Sequence, residues 1–324
     1  KEYLDYVRRF WKKVYEQVDG CMEKDGGPVI GIQIENEYGH VGGLQGPEGE
    51  AHIRTLTAIA KEIGFDVPLY TATGWGGACI GDLLPVMGGY CEAPWDQRTC
   101  EIEPNANFVF SHTRNDALIA CDHHVENANS YNEEDFPFLT AELGGGLQVT
   151  MHRRPVAKGC DVGAMSTVKM GSGAGLLGYY MYHGGSNPKG KLSTLQESRA
   201  TGYLNDLPEI NYDFNAPIRQ YGTISDSYRE IKLLALFLND FGEDMASLRS
   251  EIPTIRILPG DMHTVRTACR HDADHGYVFF NNYQRRWKMD DHPQVKLEGL
   301  LDGKASVGFP AFDLKGGMYG FFPY

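Results

Sequence analysis

Two glutamates in similar settings are the residues of this chain best placed to do chemistry together. Glu37 ends the core of the run Gly26 to Gly39, G-G-P-V-I-G-I-Q-I-E-N-E-Y-G. Val29, Ile30, Ile32 and Ile34 make that run a short apolar strand, and Gly26-Gly27-Pro28 punctuates its start. Strands this apolar are usually covered on both faces, as in parallel α/β sheets. Side chains at the carboxyl end of such a strand project to where α/β barrels do their chemistry. Asn36 beside Glu37 sets a hydrogen-bond donor next to a proton donor. The second carboxylate, Glu142, ends the run Phe136-Pro137-Phe138-Leu139-Thr140-Ala141 and is followed, after Leu143, by Gly144-Gly145-Gly146. Three glycines let the backbone turn sharply and leave the carboxylate uncrowded. Each glutamate alone reads equally well as an ordinary strand-end charge, Glu142 with Arg153 or Arg154 as its partner. The two stand 105 positions apart, room for three βα units of roughly 35 residues each, which sets their strands nearly opposite in a closed barrel. A pair of carboxylates is what most glycoside hydrolysis requires.

The elements that must hold them alternate. Residues 2–18 read as a helix with Leu4, Val7, Trp11, Val14 and Val18 on one face. A strand over 26–36 follows, then an amphipathic helix over 49–63 that carries Ile53, Leu56, Ile59, Ala60 and Ile63 and ends at Gly64. Residues 67–72 form the next strand, 87–91 a short one, 114–130 a helix leading to the Glu142 strand. A helix over 156–171 and a buried strand over 175–182 come next. Ser227-x-x-Glu230 is a capping-box candidate opening a helix with Tyr228, Ile231, Leu234, Ala235 and Leu238. This alternation is the α/β pattern of a barrel. Beyond about residue 250, short strands between Gly, Asp and Pro turns replace it.

The chain has 324 residues, 42% hydrophobic and 23% charged, ordinary for a globular protein and long enough for two domains. Its net charge of −13 argues against nucleic acid and anionic membranes as partners and suits a neutral substrate. No apolar run is long enough to span a bilayer. Seven cysteines with no C-x-x-C pair give no zinc pattern, and the length argues against a disulfide framework. Cys91 and Cys100 could form one bridge; otherwise the cysteines read as small buried hydrophobes. The absence of an N-x-S/T sequon weakly disfavours a glycosylated eukaryotic secretory origin. Cytoplasmic, periplasmic and secreted locations all stay open, as does the oligomeric state.

The run G-G-P-V-I-G-I-Q-I-E-N-E-Y-G resembles the acid/base signature of glycoside hydrolase family 35, to which many β-galactosidases belong. Thr140-Ala141-Glu142 is similar to that family's nucleophile strand. Gly178 to Asn187, G-Y-Y-M-Y-H-G-G-S-N, resembles its Y-M-x-x-G-G-T-N segment, and Tyr212-Asp213-Phe214-Asn215-Ala216-Pro217 its Y-D-Y-D-A-P. The resemblance runs from residue 1 to about 240. It implies a (β/α)8 TIM-type barrel with Glu37 as acid/base on the fourth strand and Glu142 as nucleophile on the seventh. It further implies that Asn36 donates to the sugar 2-hydroxyl and that Tyr180 touches the sugar near the nucleophile. By this likeness the reaction is a retaining release of terminal β-D-galactose from a galactoside glycan, with no cofactor and no metal, the two carboxyls about 5 Å apart. A β-glucosaminidase or another β-glycosidase of the same fold, or an inactive sugar-binding fragment, are the alternatives. Gly144 stands where the family commonly has an aromatic residue, and Phe214 replaces the second tyrosine of Y-D-Y-D-A-P, so a hydroxyl contact is lost. Only one helix precedes the Asn-Glu strand, where the family barrel has three strands. The fold expected is therefore an N-terminally truncated barrel, about strands 4–8, over 1–245, followed by a partial all-β sandwich over 250–324.

Trp75 and Trp95 each follow a strand and could be walls of a sugar subsite, or simply pack under loops. His123-His124 and His152 lack carboxylates or cysteines at ligand spacing, so a metal site is not expected. Asp272-Ala273-Asp274-His275-Gly276 lacks the spaced acidic ligands of a calcium loop. His183 could reach the site rim or be structural. Arg285-Arg286-Trp287-Lys288 reads as a solvated basic turn.

Overall fold

The computed structural model describes residues 1–72, 76–119, 121, 129, 131–192 and 196–324. They form two compact units, Lys1–Met87 with Asn115–Pro137, and Gly88–Arg114 with Phe138–Tyr324.

In the first unit, α1 (Glu2–Val18) lays Leu4, Val7, Trp11, Tyr15 and Val18 on a core of Met22, Ile34, Ile53, Leu56, Ala60, Phe65, Leu69, Cys79 and Leu83. The inward stripe takes Tyr15 where the sequence pattern suggested Val14, which is exposed. With about 100° per residue, position 15 comes back to within about 40° of the Trp11 direction, whereas position 14 falls about 60° short of it. The strand expected over 26–36 is confined to β1 (Ile32–Asn36), because Val29 is diverted into a bridge with Met22. Helix α2 (Gly46–Ile63) starts three residues earlier than expected, with Pro47 in its first turn, where a missing N–H costs nothing. Gly64 ends it at φ 119°, donating its N–H back to Ala60 and Lys61. Strands β2 (Leu69–Ala72) and β3 (Leu84–Gly89) complete the layer, β1 parallel to β2 and β2 parallel to β3. Parallel neighbours need a crossover, which α2 supplies between β1 and β2. The helix expected over 114–130 falls largely outside the described residues.

In the second unit the tail of β3, Gly88-Gly89, is followed by β4 (Leu139–Leu143) and β5 (Leu176–Tyr179), the last two parallel and joined through α3 (Gly159–Gly171). Every residue of α3 but Cys160 is buried, as for a helix covered on all sides, and its neighbours are α4 (Asp226–Ser247) and the antiparallel sheet described next. The strand expected to be buried over 175–182 is shorter, and Leu176 is exposed. The capping box expected at Ser227 and Glu230 does not form. Ser225 is the N-cap, and Glu230 instead accepts from the Tyr319 hydroxyl at 3.0 Å.

Strands β6 (Gly185–Ser186) and β7 (Asn211–Tyr212) make a short antiparallel pair. All-β structure begins with β8 (Arg249–Glu251), β9 (Arg266–His271) and β10 (Gly276–Asn281). It continues with β11 (His292–Val295), β12 (Glu298–Leu301), β13 (Lys304–Gly308), β14 (Phe312–Leu314) and β15 (Tyr319–Pro323). The main antiparallel sheet has the order β15-β10-β9-β8, and β11 with β14 and β12 with β13 form two smaller pairs. Its buried face merges with the helices: Met245 and Leu248 share a core with Phe110, Val168, Met170, Ala268, Tyr277 and Phe279.

Among the described residues no helix is long and apolar enough to cross a membrane. All seven cysteines are free, so Cys91 and Cys100 form no bridge. Cys79, Cys91 and Cys269 are buried as expected of small hydrophobes, whereas Cys100 is exposed.

Candidate active site

The two candidate carboxylates belong to different units, and each sits at the carboxyl end of a parallel strand, Glu37 just after an irregularity in its pairing and Glu142 within one. β1 shifts register between Gln33 and Glu35, and β4 between Thr140 and Leu143. Such bulges bend a strand and re-aim the side chains that follow.

In the first unit Glu37 takes φ 53°. A left-handed conformation away from glycine costs about 1–3 kcal/mol and persists only where the surroundings enforce it. Here the Glu37 carbonyl accepts from His40 N at 3.0 Å and Val41 N at 3.3 Å, so the chain turns at this residue. The turn is anchored on both sides: Tyr38 stacks on His52 at 4.8 Å, and the buried His40 ring bonds the Gly76 carbonyl at 2.9 Å. Glu37 is half-buried. Asn36 is exposed, and its Oδ1 accepts from Gln33 Nε2 at 3.2 Å, which orients its NH2 as the group that donates outward from this pair. Trp75 lies outside the described residues.

In the second unit Glu142 is half-buried yet enclosed by protein atoms on most sides. Burial pushes its carboxyl up from 4.5 to about 7, against a smaller lowering by the Tyr90 hydroxyl, which donates to Oε2 at 3.3 Å. The salt bridge to Arg153 or Arg154 considered from sequence does not exist. Arg153 pairs with Glu92 at 3.4 Å, and Arg154 donates to the Thr150 carbonyl. Thr140, fully buried, accepts from Gly178 N and donates to the Leu176 carbonyl, fixing the strand just before the carboxylate.

The three glycines work differently from the sequence expectation. None has a positive φ; what they allow is close approach. A Cβ on Gly144 would stand 2.7 Å from the Tyr90 ring, one on Gly145 2.5 Å from the Met181 carbonyl, and one on Gly146 2.1 Å from the Phe214 carbonyl. The aromatic ring at this place is thus supplied by Tyr90, lying against a glycine. Gly146→Ala meets backbone that cannot give way, and overpacking of this kind costs about 3 kcal/mol. The expected result is a melting temperature several degrees lower with weakened activity; an unchanged melting temperature contradicts the packing described.

Tyr180 follows β5, and its N–H bonds the Leu143 carbonyl at 2.9 Å. Its hydroxyl meets the Tyr212 hydroxyl at 2.6 Å, and Phe214, buried at φ 53°, stands edge-on to Tyr180 at 5.6 Å. A cleft of about 250 Å³ opens beside this cluster, lined among others by Gln148, Asn211, Tyr212, Asp213, Phe214 and Arg219. Trp95 packs edge-on against Tyr90 at 5.0 Å, so it belongs to the same neighbourhood as Glu142. His183 is exposed and bonds the neighbouring Gly184 carbonyl.

Sequence reasoning missed Tyr90, although it lies in the short strand expected over 87–91, directly after two glycines. It also misread Arg285. The rest of the basic turn, Arg286 to Lys288, is exposed as expected, but Arg285 is buried and ion-paired to Glu92 and Asp161, and the exposed Arg286 still reaches Glu92 at 3.0 Å. Among the described residues no group of three or more His, Cys, Asp or Glu could hold a metal ion; His123 and His124 are outside them.

Comparison with known proteins gives the same direction. The model of Glycosyl hydrolases family 35 matches residues 1–237. Beta-galactosidase 17 of Arabidopsis thaliana is 27% identical over 233 residues, 69% of this chain and 29% of that protein. Beta-galactosidase 6 of Oryza sativa subsp. japonica is 27% identical over 223 residues, 67% of this chain and 20% of the relative. The chain thus spans less than a third of the length of these relatives. With the strand-end carboxylates in place and the family match covering most of its length, this chain belongs to glycoside hydrolase family 35.

Proposed function

We propose that the chain carries about strands 4–8 of a (β/α)8 barrel over 1–245 and part of a β-sandwich over 250–324, and that it serves a retaining exo-β-galactosidase. The observation that carries this reading is Glu142: a carboxyl enclosed at the end of a parallel strand, with a hydroxyl donor and, among the described residues, no neutralising cation. Carboxyls whose titration is shifted by enclosure cluster at catalytic sites, and this one is shifted by burial rather than by an ion pair. The relatives' names, β-galactosidases throughout, support the sugar.

In the first step a Glu142 oxygen attacks the anomeric carbon while Glu37 gives its proton to the departing glycosidic oxygen. In the second, Glu37 as carboxylate takes a proton from water, the water oxygen attacks the anomeric carbon, and the bond to Glu142 breaks. Asn36 donates to the sugar 2-hydroxyl, Tyr180 contacts the sugar beside the nucleophile, and Phe214 contributes an apolar wall. Glu142 must be ionised to attack, so the acidic limb of the rate profile reports its titration near 7. Activity is expected to rise with pH through that range.

The test is release of aryl alcohol by the purified protein from an aryl β-galactoside and from an aryl β-glucosaminide. Cleavage of the galactoside alone is expected. Cleavage of the glucosaminide alone replaces the sugar; no cleavage of either by the folded protein removes the substrate claim.

A further inference from the structure

We propose that Gln284 and Arg285, in the turn after β10, are positioning residues that hold Tyr90 against Glu142. Both lie beyond the stretch matched by the family model. The proposal rests on the reading of Glu142 as nucleophile.

Tyr90 is held from two sides by this one turn. Its carbonyl accepts from Asn105 Nδ2 at 2.9 Å and Asn107 Nδ2 at 3.0 Å, and the Asn105 carbonyl in turn accepts from Gln284 Nε2 at 3.1 Å. Two residues past Tyr90, Glu92 accepts from Arg285 Nε at 3.0 Å and is flanked by Arg153 and Arg286. Arg285 is itself fixed by the fully buried Asp161 at the start of α3 and by the Val156 carbonyl at 3.2 Å. Asp161 also accepts from the Tyr283 hydroxyl at 2.6 Å. The turn over 283–286 therefore grips the segment that carries Tyr90 and Trp95, and anchors it to the helix that follows the Glu142 strand.

Such a network has a cost that simple packing would avoid. Buried ion pairs are often no more stabilising than apolar residues of the same volume, so what they supply here is a fixed geometry. Geometry matters at this point because the Tyr90–Glu142 contact, at 3.3 Å, is already longer than the usual range of about 2.5–3.0 Å for a hydroxyl donor. A retreat of a few tenths of an ångström breaks it. The Tyr90 hydroxyl favours the ionised form of Glu142, so its retreat moves the titration of Glu142 further up. Among the described residues, the titratable groups around this contact include Tyr90 on Glu142 and, behind Tyr90, Glu92 with Arg153, Arg285 and Arg286.

The experiment compares Arg285→Lys and the milder Gln284→Leu, each alone and combined with Tyr90→Phe. Lysine keeps the charge but not the fork that reaches two carboxylates. Each single variant is expected to move the acidic limb of kcat/KM upward by up to about one pH unit, a loss approaching tenfold well below the limb, with little change well above it. In the Tyr90→Phe background neither should move the limb further, because the hydroxyl they act through is gone. Carbon-13 NMR titration of the Glu142 carboxyl, assigned by its absence in Glu142→Gln, reads the same shift without any substrate. It therefore separates this proposal from the β-galactosidase reading. A lowered melting temperature with the limb and the NMR midpoint unmoved, or equal shifts with and without the Tyr90 hydroxyl, overturns the positioning role.

Discussion

Glu142→Gln is expected to abolish turnover while making the protein more stable in mildly alkaline solution. The loss of activity follows from the chemistry: an amide cannot form the glycosyl ester, and removal of a covalent nucleophile typically costs about 10⁴-fold or more. The gain in stability follows from linkage. Burial raises the folded-state titration of Glu142 to about 7 from an ordinary 4.5. Below the ordinary value the carboxyl is protonated in folded and unfolded chains alike, and the full stability is present. Between the two values the folded chain holds a proton that the unfolded chain has released, so stability falls as pH rises. Above about 7 the folded protein bears the whole cost of an ionised, poorly solvated carboxylate, about 3 kcal/mol. Glutamine bears none of it. Melting temperatures of the two proteins should coincide near pH 4 and separate by pH 8, the variant higher. Coincidence at both pH values contradicts the enclosure of Glu142, and residual activity within tenfold of the parent removes it as nucleophile. Natural proteins often trade stability for function at such a position.

What could be read from the sequence was what depends on neighbours along the chain. Helices α1 and α2 follow from their apolar spacing, Gly64 from its place at a helix end, and Glu37 and Glu142 from apolar strands that stop abruptly. Boundaries slipped where a contact outside the periodic pattern intervened, as when the Met22–Val29 bridge shortened β1. The glycines after Glu142 were read as a turn because sequence exposes the freedom of a glycine but not the rings and carbonyls that crowd it. Tyr90 reaches Glu142 across 52 positions, and Arg285 reaches Glu92 across 193. No local pattern marks either pair. Arg285 looked solvated because an arginine in a turn normally is, as Arg286 proves to be; only the fold brings buried Glu92 and Asp161 to Arg285.

Glu37 carries a complementary expectation, one that depends on the leaving group. As proton donor it contributes only as much as the departing oxygen needs a proton. General acid catalysis is worth about 10²–10⁴-fold. For a sugar or alkyl aglycone, Glu37→Gln should therefore lose most of that factor. A dinitrophenyl galactoside leaves without help, so its first step should survive nearly intact in the same variant. The second step still lacks its base, so the glycosyl-enzyme accumulates: a burst of dinitrophenol is followed by slow turnover. Adding azide, a nucleophile that needs no base, should restore the turnover and yield the β-galactosyl azide. The local structure argues that this glutamate is kept for such work. Asn36 and Glu37 end a strand whose register has just shifted, and Glu37 sits at φ 53°, a conformation that glycine would adopt without strain. A glutamate retained there needs a reason beyond the turn itself. Equal losses on the alkyl and dinitrophenyl substrates, with no burst and no azide product, would leave that reason unsupplied and return Glu37 to the role of a strand-end charge.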